Sequence, residues 1–410
     1  MSTDTQSSFN YPQLVTLLLI PVMAAFSGAL INPTIPAIQT TFSHLPNSET
    51  LAQMVSTMSA PIVVIVAPIV GYLLDRYRRK PVLIASIVIY GFGTSIAFFL
   101  DSIYLILLTR VFDGIAVATL MVTVPTLISD YYSGSRRESV MGWYGAIQMA
   151  GGAVAALLGG AIASVNWRFI FPIYALALLL VPPVIRHLPE PDVHRAATDD
   201  EVGRIEAAVN IARESPVLIL LVAYFLVTFG MLTNNLIQIE VPYYLRESIG
   251  VSSGMTGVAL SAAMVAGVAS AALYGRFRRR FQHATILMIA FGIASVGYAI
   301  ISATDVFAVV LGGILVAAGG MGFLLPTIND WVAAIVNEEY RGRALSGVTT
   351  TMYLGFAISP FVPTPLIDAF GRSTTLLIWA GFLAVVTVGL GVLWLTDWDS
   401  SPAPDAVRAD

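Results

Sequence analysis

The 410-residue chain contains no cysteine, so it can form no disulfide, no thiolate metal site and no catalytic thiol. Charge is scarce as well: Asp, Glu, Lys and Arg make up 11% of the residues, against about a quarter in soluble globular domains. With 57% hydrophobic residues and a mean hydropathy of +0.80, the chain suits a bilayer and not water. No Gly-x4-Gly-Lys-Ser/Thr loop occurs, which excludes pumping by ATP within this chain. His44, His187, His194 and His283 are its four histidines, and all fall outside the apolar runs or at their edges. A membrane metal site therefore lacks ligands, and the sequence calls for no metal, no cofactor and no nucleic-acid partner.

What is present is apolar sequence in long runs. An α-helix needs about 20 residues to cross the hydrocarbon, and twelve such spans fit: 12–36, 51–74, 81–100, 103–129, 140–164, 167–186, 216–244, 254–275, 284–303, 306–330, 345–367 and 374–396. Continuous apolar stretches such as Ile62 to Val70 lack the alternation of a membrane β-barrel. The expected fold is all-α and integral to the membrane. The first span is too long for a signal-peptide core and has no basic stretch before it, so it reads as a retained helix.

Basic residues sort to one side. Alternate loops hold Arg76, Arg78, Arg79, Lys80, Arg136, Arg137, Arg276, Arg278, Arg279, Arg280, Arg341 and Arg343, whereas the opposite loops hold Arg168, Arg246 and Arg372. Because basic loops stay in the cytoplasm, both termini are expected inside a cell membrane crossed many times. The longest polar interval divides the chain into residues 1–186, a linker over 187–215, residues 216–396 and a tail over 397–410. Within the linker, Thr198-Asp199-Asp200-Glu201 has the pattern of a capping box ahead of a short amphipathic helix. That helix is read as a tether or as a regulatory segment.

The two halves repeat. Asp75-Arg76-Tyr77-Arg78-Arg79-Lys80 recurs as Gly275-Arg276-Phe277-Arg278-Arg279-Arg280, and Pro125-Thr126-Leu127-Ile128 echoes Pro326-Thr327-Ile328-Asn329. Two related six-helix bundles follow, and solute transport heads the functions such a duplication serves. Gly71-Tyr72-Leu73-Leu74-Asp75-Arg76-Tyr77-Arg78-Arg79-Lys80 resembles the loop signature of the major facilitator superfamily, departing from it at Arg78, where that family has Gly. Arg110-Val111-Phe112-Asp113-Gly114 is similar to its helix 4 signature, and Gly151, Gly159 and Gly160 partly match its antiporter signature, with Ala155 and Ala156 in place of Gly and Pro. Trp167-Arg168-Phe169-Ile170-Phe171 resembles the start of helix 6 in drug:proton antiporters of twelve helices. The resemblance implies two pseudo-symmetric six-helix bundles around a central cavity, rocking to open it on each side in turn, in a chain that works as a monomer.

Charges within the spans cost a few kcal/mol by insertion scales, so each is a functional candidate. Counting about 1.5 Å per residue from Ile103, Asp113 lies about 15 Å deep. Arg110, three residues earlier, shares its face. The pair reads either as a proton site, Asp113 carrying the proton and Arg110 tuning it, or as a self-neutralising brace. Glu240 falls at the outer edge of its span, an expected interface residue. Asn234, Asn235 and Gln238 of helix 7, Tyr144 and Gln148 of helix 5 and Tyr353 of helix 11 are candidates for the substrate cavity. Met121, Met149, Phe229, Met231, Met352 and Phe356 are candidates for its apolar wall. Asp75, Arg76, Arg79 and Asp130 are candidates for a gate, with Asp330 the counterpart of Asp130. Gly152, Ala156 and Gly160 form a small-residue ridge for close helix contact.

The sequence thus points to a secondary transporter, with proton-coupled export of lipophilic or amphipathic small molecules ahead of proton-coupled uptake and of a transporter-like sensor. No enzyme activity is expected. The partners are a small-molecule substrate, the proton and the lipid bilayer.

Overall fold

In the computed structural model the described residues are 10–191, 217–336 and 341–395. The linker capping box lies outside them. Among the described residues, eleven helices are long and apolar enough to cross a membrane: α1 Tyr11–Thr41, α2 Ser48–Leu74, α3 Arg79–Phe99, α4 Ile103–Tyr131, α5 Gly134–Ala163, α6 Trp167–His187, α7 Val217–Ile249, α8 Ser253–Arg278, α9 His283–Ser302, α10 Phe307–Ile335 and α12 Arg372–Val392. Between the last two lies α11, Arg341–Ile358, followed by the short helix Thr364–Phe370. Each expected span is a helix, so the fold is an all-α membrane protein of twelve helices.

The differences lie at the ends and at proline. Expected as one span over 345–367, α11 stops at Ile358, because Pro360, Pro363 and Pro365 remove donors that its continuation needs. Asn235 of α7 donates to Ser359 Oγ at 2.5 Å, so a neighbouring helix supplies polar contacts at the break. α10 also divides, into Phe307–Met321 and Leu324–Ile335, with Pro326 in the first turn of the second piece, where a missing N–H is tolerated. At Arg78 the backbone is extended (φ −62°, ψ 132°), a conformation open to any residue, so the hairpin turns without the family's glycine.

Two main clusters of buried side chains form, one mostly from α1 to α6 with Ile239 and Tyr243 of α7, the other mostly from α7 to α12 with Ala156 of α5. The halves meet closely along α5 and α8. A Cβ on Gly160 would lie 2.6 Å from Ser253 O and 2.7 Å from Gly257 Cα, and one on Gly257 would lie 2.6 Å from Ala156 O. Half-way along, Gly152 faces Met264 Sδ at 3.3 Å. Further toward the end that carries the basic loops, a Cβ on Gly145 would meet nothing within 4 Å. The expected ridge therefore packs where α5 ends and α8 begins, and the two helices diverge toward the basic end.

Only a residue without Cβ permits that backbone contact. Gly160→Leu should lower the thermal stability of the purified protein, by about 1–3 kcal/mol if the helices repack locally. A tryptophan-fluorescence melt unchanged from the parent would show the contact to be dispensable.

Candidate functional site

Arg110 and Asp113 of α4 are both wholly inaccessible, with Arg110 Nη2 2.5 Å from Asp113 Oδ2. α1 completes the site: Ser27 Oγ donates to Asp113 Oδ2, and Ser27 O accepts from Arg110 Nη2 at 3.2 Å. Tyr174 of α6 donates to the same carbonyl at 3.0 Å, and its ring centroid lies 5.5 Å from Arg110 Cζ. Tyr90 of α3 donates to Met23 O at 2.5 Å, fixing α1 one turn away. Gly114 brings α2 close, since a Cβ there would lie 2.8 Å from Ser59 O. These neighbours all belong to the first half, and they wall the carboxylate off from water in this conformation. Asp113 Oδ1 and Arg110 Nε and Nη1 have no hydrogen-bond partner among the described residues.

The polar contacts that cross between the halves gather at the end opposite the basic loops. Asn32 Nδ2 of α1 donates to Gln238 Oε1 of α7 at 3.1 Å, and Ser56 of α2 donates to Asn32 Oδ1. Gln53 Nε2 of α2 donates to Glu240 Oε1 of α7 at 2.8 Å. Arg372, at the start of α12, reaches Glu49 of α2 at 2.6 Å, Glu240 at 3.4 Å and Glu247 at 3.1 Å. Glu240, expected at the outer edge of its span, is not exposed. At 2% exposure it is enclosed between the halves, because α2 and the start of α12 close over it.

At the basic end the ion pairs stay within each half. Arg79 of the first hairpin pairs with Asp130, and Glu190 accepts from the Arg79 and Lys80 amides, the former at 2.6 Å. Arg76 stacks on Tyr72 of its own helix, with Cζ 4.2 Å from the ring centroid. The Asp75 side chain lies outside the described atoms. In the second half Asp330 plays the part of Asp130, receiving Arg278 Nε at 2.9 Å, Tyr274 Oη at 2.7 Å and His283 Nε2 at 2.8 Å. Both halves thus pair a hairpin arginine with an acid, though through Arg79 in the first and through Arg278, the equivalent of Arg78, in the second.

The expected cavity residues are dispersed. Gln238 serves the inter-half contact and Asn235 the break in α11, whereas Asn234, Tyr144 and Gln148 are half-buried. Tyr353 contacts Met121 Sδ of α4 across the halves and packs edge-on to Phe356 at 6.0 Å. Met231 is core of the second half, and Phe229 stacks on Trp379 at 5.6 Å, so these two are not wall residues. Reading by residue type found the α4 pair but missed Ser27, Asn32, Glu49, Gln53 and Arg372. Of these, Arg372 carried a signal, as one of three basic residues in the opposite loops.

The sequence profile of the Major Facilitator Superfamily matches residues 17–239 and 224–409. The chain belongs to that superfamily. Among curated members of the Major Facilitator Superfamily it is 24% identical over 379 residues to "Tetracycline resistance protein, class H" of Pasteurella multocida, covering 90% of this chain and 91% of that protein. It is 25% identical to the class B protein of Escherichia coli over 90% of each chain. With the "Multidrug efflux pump SdrM" of Staphylococcus aureus it shares 23% identity over 93% of this chain and 96% of that one. Its fold matches a bacterial homologue of the human lysosomal transporter Spinster in an inward-facing, occupied conformation, with a TM-score of 0.77 at 17% identity, covering 95% and 98% of the two chains. A D-xylose-proton symporter matches with a TM-score of 0.74 at 16% identity, covering 93% and 97%.

Breaking a buried pair by removing one partner strands the other charge. Arg110→Ala should cost about 3–5 kcal/mol of stability, and Arg110→Met with Asp113→Leu should recover most of it. Melting of the purified variants checks this; equal loss in single and double variants would show that the charges do not compensate each other.

Proposed function

We propose that this protein exports lipophilic or amphipathic small molecules in exchange for protons by alternating access. The observation that carries the reading is the arrangement of the halves, joined by polar contacts at one end and diverging along α5 and α8 toward the other. The efflux and resistance proteins it resembles over nine-tenths of its length support the direction of transport. Uptake symport rests on likeness of fold alone.

By the placement of basic residues, the arginine-rich end faces the cytoplasm of the cell membrane and so do both termini. The conformation described is then the inward-facing one. Residues 1–186 and 216–396 are the moving bodies, 187–215 their tether and 397–410 a tail, in a monomer. The ion pairs Arg79–Asp130 and Arg278–Asp330 hold each half's hairpin, and the proposed gate at the inner end is formed by Asp75, Arg76, Arg79 and Asp130. In this reading Tyr144, Gln148, Asn234 and Tyr353, with Met121 and Met149, contribute to a mixed polar and apolar substrate wall.

Asp113 is the proton carrier in this reading and Arg110 its counter-charge. The carboxylate is sealed by Ser27 of α1, so proton exchange with water requires α1 to move from α4. Motion of α1 also acts on Asn32, which spans to α7. That shared helix connects protonation to the join between the halves.

The test is flux in proteoliposomes. Under an imposed pH gradient the parent should accumulate a lipophilic test compound such as tetracycline against its own gradient, and Asp113→Asn should abolish that accumulation while remaining folded, at a lower melting temperature. Should the single variant not fold, Arg110→Gln with Asp113→Asn serves instead. Normal gradient-driven accumulation without the carboxylate rules out its role.

A further inference from the structure

At the end opposite the basic loops, one guanidinium serves three carboxylates. Arg372 reaches Glu49 at 2.6 Å, Glu240 at 3.4 Å and Glu247 at 3.1 Å, and its Cζ lies 4.4 Å from the ring centroid of Tyr243. Glu49 comes from α2, Glu240, Glu247 and Tyr243 from α7, and Arg372 from the start of α12. Asp368 of the helix Thr364–Phe370 adds another negative charge near Glu49. With every acid ionised, the cluster holds an excess of negative charge.

Burial makes that excess costly. Glu247 is half exposed and solvated, whereas the Glu240 side chain is 3% exposed and that of Arg372 9%. Charges out of water are tolerated when paired, and Glu240 shares its counter-ion with two rivals. Carboxylates crowded this way hold a proton that separated ones release.

A second, independent observation is an unsatisfied acceptor on the side chain that binds Glu240. Gln53 is wholly buried, and its Nε2 is committed to Glu240 Oε1 at 2.8 Å and to Glu49 Oε1 at 3.5 Å. Its other amide atom, Oε1, receives no hydrogen bond among the described residues, and neither does the buried Tyr243 Oη. A buried acceptor without a donor is expensive. An ionised carboxylate has no hydrogen to offer Gln53 Oε1, and a carboxylic acid has one.

We propose that Glu240 is a proton-binding site filled when this end of the molecule shuts, with Gln53 and Arg372 as the groups that position it. Closure brings Glu49 and Gln53 of the first half onto Glu240, Glu247 and Arg372 of the second, and the contact completes only with one proton taken up. Opening separates the acids into water, where Glu240 releases that proton. The shut state binds the extra proton, so acid favours shutting and base favours opening. On the alternating-access reading above, on which this inference rests, the far end closes after proton uptake from outside. This site is distinct from Asp113, which has no contact across the halves.

The experiment reads conformation, not flux. With no native cysteine, spin labels go on Ser43→Cys and Ala303→Cys, exposed loop positions of the two halves at this end. Distances by double electron–electron resonance are recorded in lipid nanodiscs, without substrate, from acid to alkaline pH. The shut population should rise as pH falls, the ratio of shut to open changing by up to about tenfold per pH unit for one proton. Glu240→Gln, which keeps an acceptor for Gln53 Nε2 and adds a donor for Gln53 Oε1, should shut this end independently of pH. Asp113→Asn should leave the slope in place. A slope that survives Glu240→Gln, or the opposite sign in the parent, overturns the proposal. If that variant does not fold, Arg372→Gln decides: losing the only cation should move the midpoint to lower pH, and an unmoved midpoint overturns the proposal as surely. Loss of gradient-driven flux with this pH response intact would sink the export reading and leave the gate standing.

Discussion

A lipid bilayer solvates neither backbone polar groups nor charge, and the arrangement of this protein follows from that constraint. Helices satisfy their own backbone, so twelve of them account for most of the sequence. Side-chain charge has no such internal answer and must find a partner. Arg110 finds Asp113 in the middle of the first half. At the basic end Arg79 finds Asp130 and Arg278 finds Asp330, each within its own half. At the far end Arg372 finds Glu49 across the boundary. Arg168–Asp101 likewise lies within one half, and Arg372 also reaches Glu240 and Glu247 of its own half, so among the described residues Arg372–Glu49 is the ion pair that crosses the boundary.

That distribution explains why the halves can behave as bodies. Their cores are largely distinct, and the contact between them includes small residues on α5 and α8, α2 against α11, Ile239 and Tyr243 of α7 packed into the first core, a polar layer at the far end and the Tyr353–Met121 touch. Small-residue contacts permit rolling, since no interdigitated side chains need to be withdrawn. Polar contacts can be exchanged for water at modest cost once the far end opens.

Much of this was legible in the sequence, because the membrane imposes its length scale on the chain. Apolar runs located the twelve helices, and charge within them the buried Arg110–Asp113 pair. Three kinds of feature were not. Helix ends run past the apolar runs, as α1 does to Thr41 and α7 to Ile249, since polar residues continue a helix once its end leaves the hydrocarbon. At the break in α11 the Ser359 hydroxyl donates to Phe356 O and accepts from Asn235 of α7, contacts that proline content does not reveal. Partners remote in sequence were hidden altogether: Glu49 and Arg372 lie more than three hundred positions apart and meet only because α2 and α12 reach the same end. Glu240 was underrated for the same reason. Its depth could be counted from Pro216, but its enclosure comes from residues on other helices.

In the proposed cycle Asp113 and Glu240 respond to different motions. The first is sealed by α1 against α4 within one half, the second by the approach of one half to the other. The central claim common to both is that one end shuts as the other opens. Absence of native cysteine allows this to be read by reaction of single introduced cysteines with a membrane-impermeant maleimide. Gly145→Cys reports the basic end, where space beside α5 is open, and Ser56→Cys reports the far end, where it is enclosed. The account predicts reciprocal change across added substrate and pH, reactivity at position 56 appearing as reactivity at position 145 is lost. Labelling that rises and falls together at the two positions would contradict it.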